Sequence, residues 1–496
     1  MQNRHVNGRG GTSRPGAPAS RAGRGHPAVL GIDLGTSAVK VLVTSPDGQV
    51  LGRATAGYPV RVPAAGRAEA APEDWWLATR AAVREALAEA EASAEAEASA
   101  EAEASRITVT GLAVAGQMHG VVLADERGAP LRPAILWLDQ RAAAEAASYA
   151  ELPCDHQSVL GNQPSPGMAG PLLSWLVAHE PCTVAAAWWV LQPKDWLRLR
   201  LTGRAATDPT DASGTLLFDL AREAWADPVV EKLGLPREKL PPVYRPADVA
   251  GPLLPAPAAD LGLPPGIPVA VGAADTAAAL YAAGLGADEA MLNLGSGGQW
   301  VVPETEFRPA ATTNLYRAVD GGYYRLAPVQ NVGITLDWVR NLLGATWEDL
   351  YATASRPPGG SPPRFDPRLT PERWSPGAAG AWTGLTLAHG REDLMRSALD
   401  GVATQLRQRL DDLRAAGHHP ARVILGGGGT TSPAWRTLLS ETLGLPLREA
   451  PATWLTPAGA ARLAAQAAAS SYRPPGSGPV ATGSSSWFDH SLHEPG

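Results

Sequence analysis

The stretch Val29-Leu30-Gly31-Ile32-Asp33-Leu34, followed by Gly35-Thr36-Ser37 and then Ala38-Val39-Lys40-Val41-Leu42-Val43-Thr44, reads as two apolar strands joined by a tight turn. Runs rich in β-branched residues favour extended backbone, and a glycine beside two hydroxyl residues supplies turn chemistry. Pro46-Asp47-Gly48 predicts a second turn and a third strand after it. The same construction returns at 291–294, Gly295-Ser296-Gly297-Gly298 and 299–302. Between and after these openings, short β-rich runs alternate with alanine-rich helical segments, which predicts an α/β protein built from two related lobes. The seam falls in the Gly/Ala stretch 284–288, so the lobes are expected at 27–285 and 286–470.

The chain is 496 residues long, 45% hydrophobic and 18% charged, enough for two domains with cores of their own. Its net charge of −7 is uneven, because seven glutamates lie between Glu85 and Glu103. The remainder is near neutral, which argues against nucleic acid and anionic lipid as partners. No window holds eighteen uninterrupted apolar residues, so no membrane span is expected. The two cysteines, Cys154 and Cys182, lack the spacing of a zinc site or a redox dithiol, and a reducing, cytoplasmic setting is the expectation. Residues 1–26 carry five arginines, many glycines and no acid, and read as a disordered tail or an over-long start rather than a secretory signal. The segment 89–105 repeats Glu and Ala without a 3.6-residue apolar stripe and reads as a solvated helical extension or flexible insert. Residues 471–496, rich in Ser, Gly and Pro, read as a flexible tail.

Three glycine clusters could hold phosphate through exposed backbone N–H groups. The first is Gly35-Thr36-Ser37, flanked by Asp33 and Lys40; its aspartate stands where a phosphate-bound Mg²⁺ could be met through water. The second is Gly295-Ser296-Gly297. The third, Gly426-Gly427-Gly428-Gly429, follows an apolar run and precedes a helix opened by Pro433. None is a GxGxxG or a lysine-bearing P-loop, and three turns spread over two lobes predict a nucleotide clamped between them. Asp275 follows the apolar run 267–271 and precedes an alanine-rich helix. Either it caps that helix, or it faces a cleft and takes a proton from an attacking hydroxyl. Gln117-Met118-His119-Gly120 follows another strand, where an ordinary turn is the alternative to a ligand-binding segment. Trp137, Asp139 and Arg141 end a further strand. Asp139 and Arg141 project to one side and offer an acceptor and a forked donor to a polyhydroxylated ligand, or else form a surface ion pair of little worth.

In this order, with Pro193-Lys194-Asp195-Trp196, Thr207-Asp208, Asp211-Ala212-Ser213-Gly214-Thr215, Pro371-Glu372-Arg373 and Asp400-Gly401 between them, these landmarks resemble the FGGY family of carbohydrate kinases, from about residue 29 to about 468. Gln117-Met118-His119-Gly120 is similar to its xylulokinase branch. The resemblance implies two actin-like, ribonuclease H-like ATPase lobes around a central cleft, the first binding sugar and the second nucleotide. It further implies ATP and Mg²⁺ as cofactors and phosphorylation of a ketopentose, D-xylulose to D-xylulose 5-phosphate. Asp275 is then the catalytic base and Asp33 the metal-associated acid. Gly35, Thr36, Ser37, Lys40, Gly295, Ser296, Gly297, Gly427 and Gly428 belong to the nucleotide loops, and Gln117, Met118, His119, Trp137, Asp139 and Arg141 to the sugar site. Family members are often dimeric, so a homodimer is the assembly implied. The chain departs from the family at Gly272-Ala273-Ala274-Asp275-Thr276, where Gly-Gly-Gly-Asp-Asn is usual, and the added methyl groups are expected to crowd a close backbone approach. Other acceptors, such as another ketose, a polyol or a sugar acid, and an inactive actin-like binding protein are the competing readings. Retention of both Asp33 and Asp275 argues against the last.

Overall fold

The computed structural model describes residues 26–97, 107–356, 361–370, 379–449 and 454–471. The two expected tails except for His26 and Ser471, the later part of the Glu/Ala repeat, and the Pro371-Glu372-Arg373 landmark lie outside the described residues.

His26–Leu34, Ala38–Thr44 and Val50–Gly57 form an antiparallel meander, as the alternation of apolar runs and turns requires. The helix Pro72–Glu97 then carries the chain back to Ile107–Gly116, which pairs parallel to His26–Leu34. A parallel partner needs such a crossover. Pro268–Ala270 and the two-residue strand Ala273–Ala274 add to the far side of Ile107–Gly116, and Val249–Pro252 closes a seven-stranded sheet. The helix buries Trp75, Trp76, Val83, Ala86 and Ala90 under the meander, and beyond Ala90 its described side chains are largely exposed. The part of the Glu/Ala repeat that is described is therefore a solvated helical extension.

The second sheet repeats this plan. Glu289–Leu294, Gly298–Glu304 and Tyr323–Val329 form its meander, extended by Asn314–Arg317. After the 25-residue helix Arg391–Ala415, Arg422–Gly426 returns parallel to Glu289–Leu294, and Leu447–Glu449 completes six strands.

Two alanine-rich helices lie against each other between the sheets, and one of them crosses over. Asp275–Ala283 follows the last strand of the first sheet, yet its Ala277, Ala279 and Ala282 share a core with Met291, Val301 and Tyr324 of the second. Leu455–Ser471 follows the second sheet, yet its Ala460, Ala461 and Ala464 pack with Val29, Ala113 and Ala115 of the first. The approach is close enough to require missing side chains. A Cβ on Gly31 would lie 2.0 Å from the Pro457 carbonyl oxygen, and one on Gly459 2.0 Å from that of Ala278. Leu455–Ser471 thus packs on the sheet it does not follow, while Asp275–Ala283 lies chiefly against Leu455–Ser471 and keeps Ala278 in the core of the first sheet. Alanine faces fit either sheet, so composition carries no signal of this crossing.

Candidate active site

Ile107–Gly116 is the axis of the site, because its C-terminal edge is flanked by the two strands that deliver carboxylates. Asp33 is in register with Ala115 on one side; on the other, Ala273 and Ala274 pair with Ala115 and Gly116 and lead directly into Asp275. Two strand spacings separate the carboxylate-bearing backbones, about 10 Å. Crevices at the carboxyl ends of parallel strands are where α/β sheets hold ligands.

Asp33 is buried, with Oδ2 3.9 Å from Lys40 Nζ and Oδ1 without a hydrogen-bond partner. Burial pushes its pKa up to about 7, against the pull of Lys40 and with a further push from Asp275. Asp275 is half-buried at the first turn of its helix. Its Oδ1 accepts from the Thr276 backbone N–H at 2.6 Å and the Thr276 hydroxyl at 3.2 Å. Desolvation raises its pKa, opposed by these two hydrogen bonds and by Lys40. Asp275 is not the cap of that helix: the cap position is Ala274, without a side-chain cap hydrogen bond, and Asp275 opens the helix within reach of the charges of Asp33 and Lys40. The methyl groups expected to crowd this backbone do not do so. Ala273 packs with Ala113 and Ala115, and Ala274 with Met118 and Ala277.

The turn after the first strand is braced from three sides. Gly35 N–H donates to Ala38 O at 3.1 Å, Gln117 Nε2 donates to Gly35 O at 3.2 Å, and the Tyr58 hydroxyl donates to the same carbonyl. Trp137 Nε1 donates to Thr36 Oγ1 at 3.0 Å, and Ser37 is exposed beside it. Gln117 is thus a brace of the glycine turn, with its Oε1 buried and unpartnered. Met118 is buried against Tyr324, whose hydroxyl lies 3.8 Å from Sδ. His119 occupies a left-handed backbone conformation, φ 72°, uncommon for a side chain of this size. Its N–H donates to Gln192 Oε1 at 3.0 Å, and Nδ1 lies 2.7 Å from Gly214 O, which places the proton of the neutral ring on Nδ1.

Asp139 and Arg141 leave the set of sugar ligands. Both Asp139 oxygens are taken by Arg141 and by the backbone of Ala68 and Arg141, and Arg141 also donates to Glu69 at 2.7 Å. Asp139 is fully buried, so the pair is internal structure.

In the second lobe the expected glycines converge. Gly295 and Ser296 are exposed at the tip of the turn, where Gly295 N–H donates to Gly297 O at 2.8 Å and Ile334 N–H to Ser296 O at 2.9 Å. Gly427 has φ 88°, and a Cβ there would fall 2.2 Å from Leu294 O, so the third loop rests on the second. Around Gly428 the space is open.

Sequence reasoning missed Tyr58, Tyr316 and Tyr324. Tyr58 follows the third strand directly, and the other two tyrosines bring the second sheet against Met118 and the His119 ring, the Tyr316 ring centroid 6.0 Å from that of His119. No local pattern marks them, because their partners, from Gly35 to Met118, lie well outside any local window of sequence. Among the described residues no cluster of three or more His, Cys, Asp or Glu side chains could hold a metal ion, and no helix is long and apolar enough to cross a membrane.

A repeated meander with crossover, two glycine-turn systems and a carboxylate pair at one sheet edge define a phosphotransferase of the actin-like ATPase type, and the chain belongs to the FGGY family of carbohydrate kinases. Residues 28–282 match the N-terminal domain of that family and 286–468 its C-terminal domain. It is a sugar kinase, and kinases of this family draw the phosphoryl group from ATP. The chain is similar to the xylulose kinase of Escherichia coli K12, 35% identical over 88% of this chain and 90% of that protein. It is similar also to the xylulose kinase of Bacillus subtilis 168, 30% identical over 83% of each. The crystal structure of xylulose kinase from Rhodospirillum rubrum superposes with a TM-score of 0.77 at 29% identity, over 89% of this chain and 90% of that one.

Proposed function

We propose that this protein transfers the γ-phosphoryl group of ATP to the terminal hydroxyl of D-xylulose, giving D-xylulose 5-phosphate and ADP. The observation that carries the reading is the placement of Asp275 beside Asp33 at the edge of the first sheet, next to a His119 segment held in strained backbone. It is supported by the xylulose kinases to which the chain is similar. Asp275 accepts the hydroxyl proton as the sugar oxygen attacks phosphorus and the bond to the ADP oxygen breaks. His119 orients the sugar and Met118 forms an apolar wall beside it. Gly35 and Gly295 close the two turns through their own N–H groups, the backbone N–H groups of Thr36, Ser37, Ser296 and Gly297 hold the phosphates, Lys40 lines the first turn, and Gly427 and Gly428 form the loop near adenosine. Trp137 steadies the first turn through Thr36.

The orphaned, buried Oδ1 of Asp33 suits a Mg²⁺ ion held through water, a cation that binds few carboxylates and keeps most of its hydration. When bound, that ion neutralises phosphate charge. Exposed free thiols at Cys154 and Cys182 suit a cytoplasmic setting, and a homodimer is the assembly we propose by family likeness.

The test is ADP release across a panel of ketoses, polyols and sugar acids. The highest kcat/KM is expected on D-xylulose. A maximum on another acceptor replaces the sugar assignment, and ATP binding without turnover on any acceptor overturns the reading as an enzyme.

A further inference from the structure

Behind the sheet edge lies a group of five buried ionisable side chains that the phosphoryl transfer described above leaves unused. Lys194 Nζ lies 2.6 Å from Asp195 Oδ1, 2.9 Å from Asp208 Oδ1 and 3.3 Å from Asp211 Oδ2, and Arg198 Nη1 donates to Asp195 Oδ1 at 3.0 Å. All five residues are fully buried. Ion pairs so placed lose their hydration, and replacing them by apolar side chains is often neutral or stabilising, so stability alone is a poor account of them. Burial by itself would lower the Lys194 pKa, but its three carboxylates hold it above its ordinary value, so the ammonium is retained.

What the cluster touches is the backbone that carries Asp275. Asp208 Oδ2 accepts from the Thr210 hydroxyl at 2.5 Å and from the Thr210 N–H at 2.8 Å. The same hydroxyl oxygen accepts the N–H of Ala274 at 2.8 Å, the residue immediately before Asp275. Arg198 Nη1 meanwhile donates to Val271 O at 2.9 Å, at the start of the same segment. The segment is thus tied at both ends to one charged group. Donation to the Asp208 carboxyl group makes the Thr210 oxygen a stronger acceptor, and such chains strengthen one another. Ala273 and Ala274 are too short a strand to be held by sheet pairing alone.

We infer that Thr210, anchored through Asp208 by Lys194, is a positioning residue for the phosphoryl transfer: it fixes the Ala274 amide and thereby sets where the Asp275 carboxylate stands. This rests on the reading of Asp275 as the base. A displacement of about 1 Å at a reacting group can cost on the order of a hundredfold in rate.

The experiment compares Thr210→Val, Thr210→Ala, Thr210→Ser and Asp275→Asn with the wild type in steady-state kinetics. Thr210→Val is expected to lower kcat about tenfold or more while KM for ATP stays within about twofold, because the tie acts on the base and not on the nucleotide. Thr210→Ser, which keeps the hydroxyl, is expected to restore kcat to within about threefold of wild type by the same argument. Should Thr210→Val fail to fold, Thr210→Ala carries the same expectation. A folded Thr210→Val or Thr210→Ala enzyme with a lowered melting temperature but wild-type kcat reduces Thr210 to a stability role and overturns the inference, provided Asp275→Asn is inactive. Wild-type kcat in Asp275→Asn instead removes the base reading beneath it. The wild-type chain supplies an independent arm: the Ala274 amide must be among the slow exchangers in hydrogen–deuterium exchange, and fast exchange there overturns the tie whatever the variants do.

Discussion

Asp33 shows how a single carboxylate can be costly to the fold that holds it. Its ordinary pKa of 3.8 rises to about 7 on burial, so the folded chain binds that proton more tightly than the unfolded one. The stability it contributes is therefore complete below pH 4 and is lost as pH rises through 7. Asp33→Asn, neutral throughout, is expected to raise the melting temperature of the nucleotide-free protein at pH 8, by at most about 4 kcal/mol of stability, and to do little at pH 4. Thermal unfolding at the two pH values checks this; equal shifts at both contradict it. The residue scale is also where reading from sequence was most uneven. Asp33 and Asp275 were legible because each ends an apolar run. Asp139 and Arg141 were misread because the groups that consume them, Glu69 and the Ala68 amide, arrive from about 70 residues upstream, and spacing says nothing of such arrivals.

At the scale of the element, the strand–glycine–strand units were legible because continuous apolar runs and turn residues are local properties. The Ala273–Ala274 strand was not, since two residues carry no period and their pairing depends on where Ile107–Gly116 ends. The third glycine loop makes a specific demand on its residues. Gly427 combines φ 88° with a backbone oxygen 2.2 Å from where a Cβ would sit. Gly427→Ala must strain that turn or push it off Leu294, at about 1–3 kcal/mol, as overpacked sites do. We expect KM for ATP to rise about tenfold with KM for the sugar unchanged, since only the second lobe is disturbed. An equal rise in both would show that the loop serves the whole cleft.

For the whole molecule, the second sheet reaches the first through few but specific contacts. Asn162 lies in the loops of the first lobe and binds Leu315 of the second from both sides, Nδ2 to its carbonyl and Oδ1 from its N–H, each at 2.8 Å. The crossing of Leu455–Ser471 onto the first sheet ties the lobes more deeply than any such bond. A chain ending at residue 454 would leave Val29, Ala113 and Ala115 without the alanine face that covers them. Exposed apolar patches of this kind drive association. Such a truncation is expected to abolish soluble expression, whereas a chain lacking residues 1–25 keeps wild-type activity. Expression and gel filtration decide the first and the kinetic assay the second; a soluble, monomeric product of the first truncation would contradict the packing.

That crossing also has a temporal side. A ribosome delivers His26–Leu34 more than four hundred residues before the helix that seals its sheet, so the first sheet cannot finish folding as it emerges. It waits, one flank bare, until residues 455–471 are made. A nascent chain in this state is a natural client for chaperones, and a premature stop near its end would do as much harm as one near the middle.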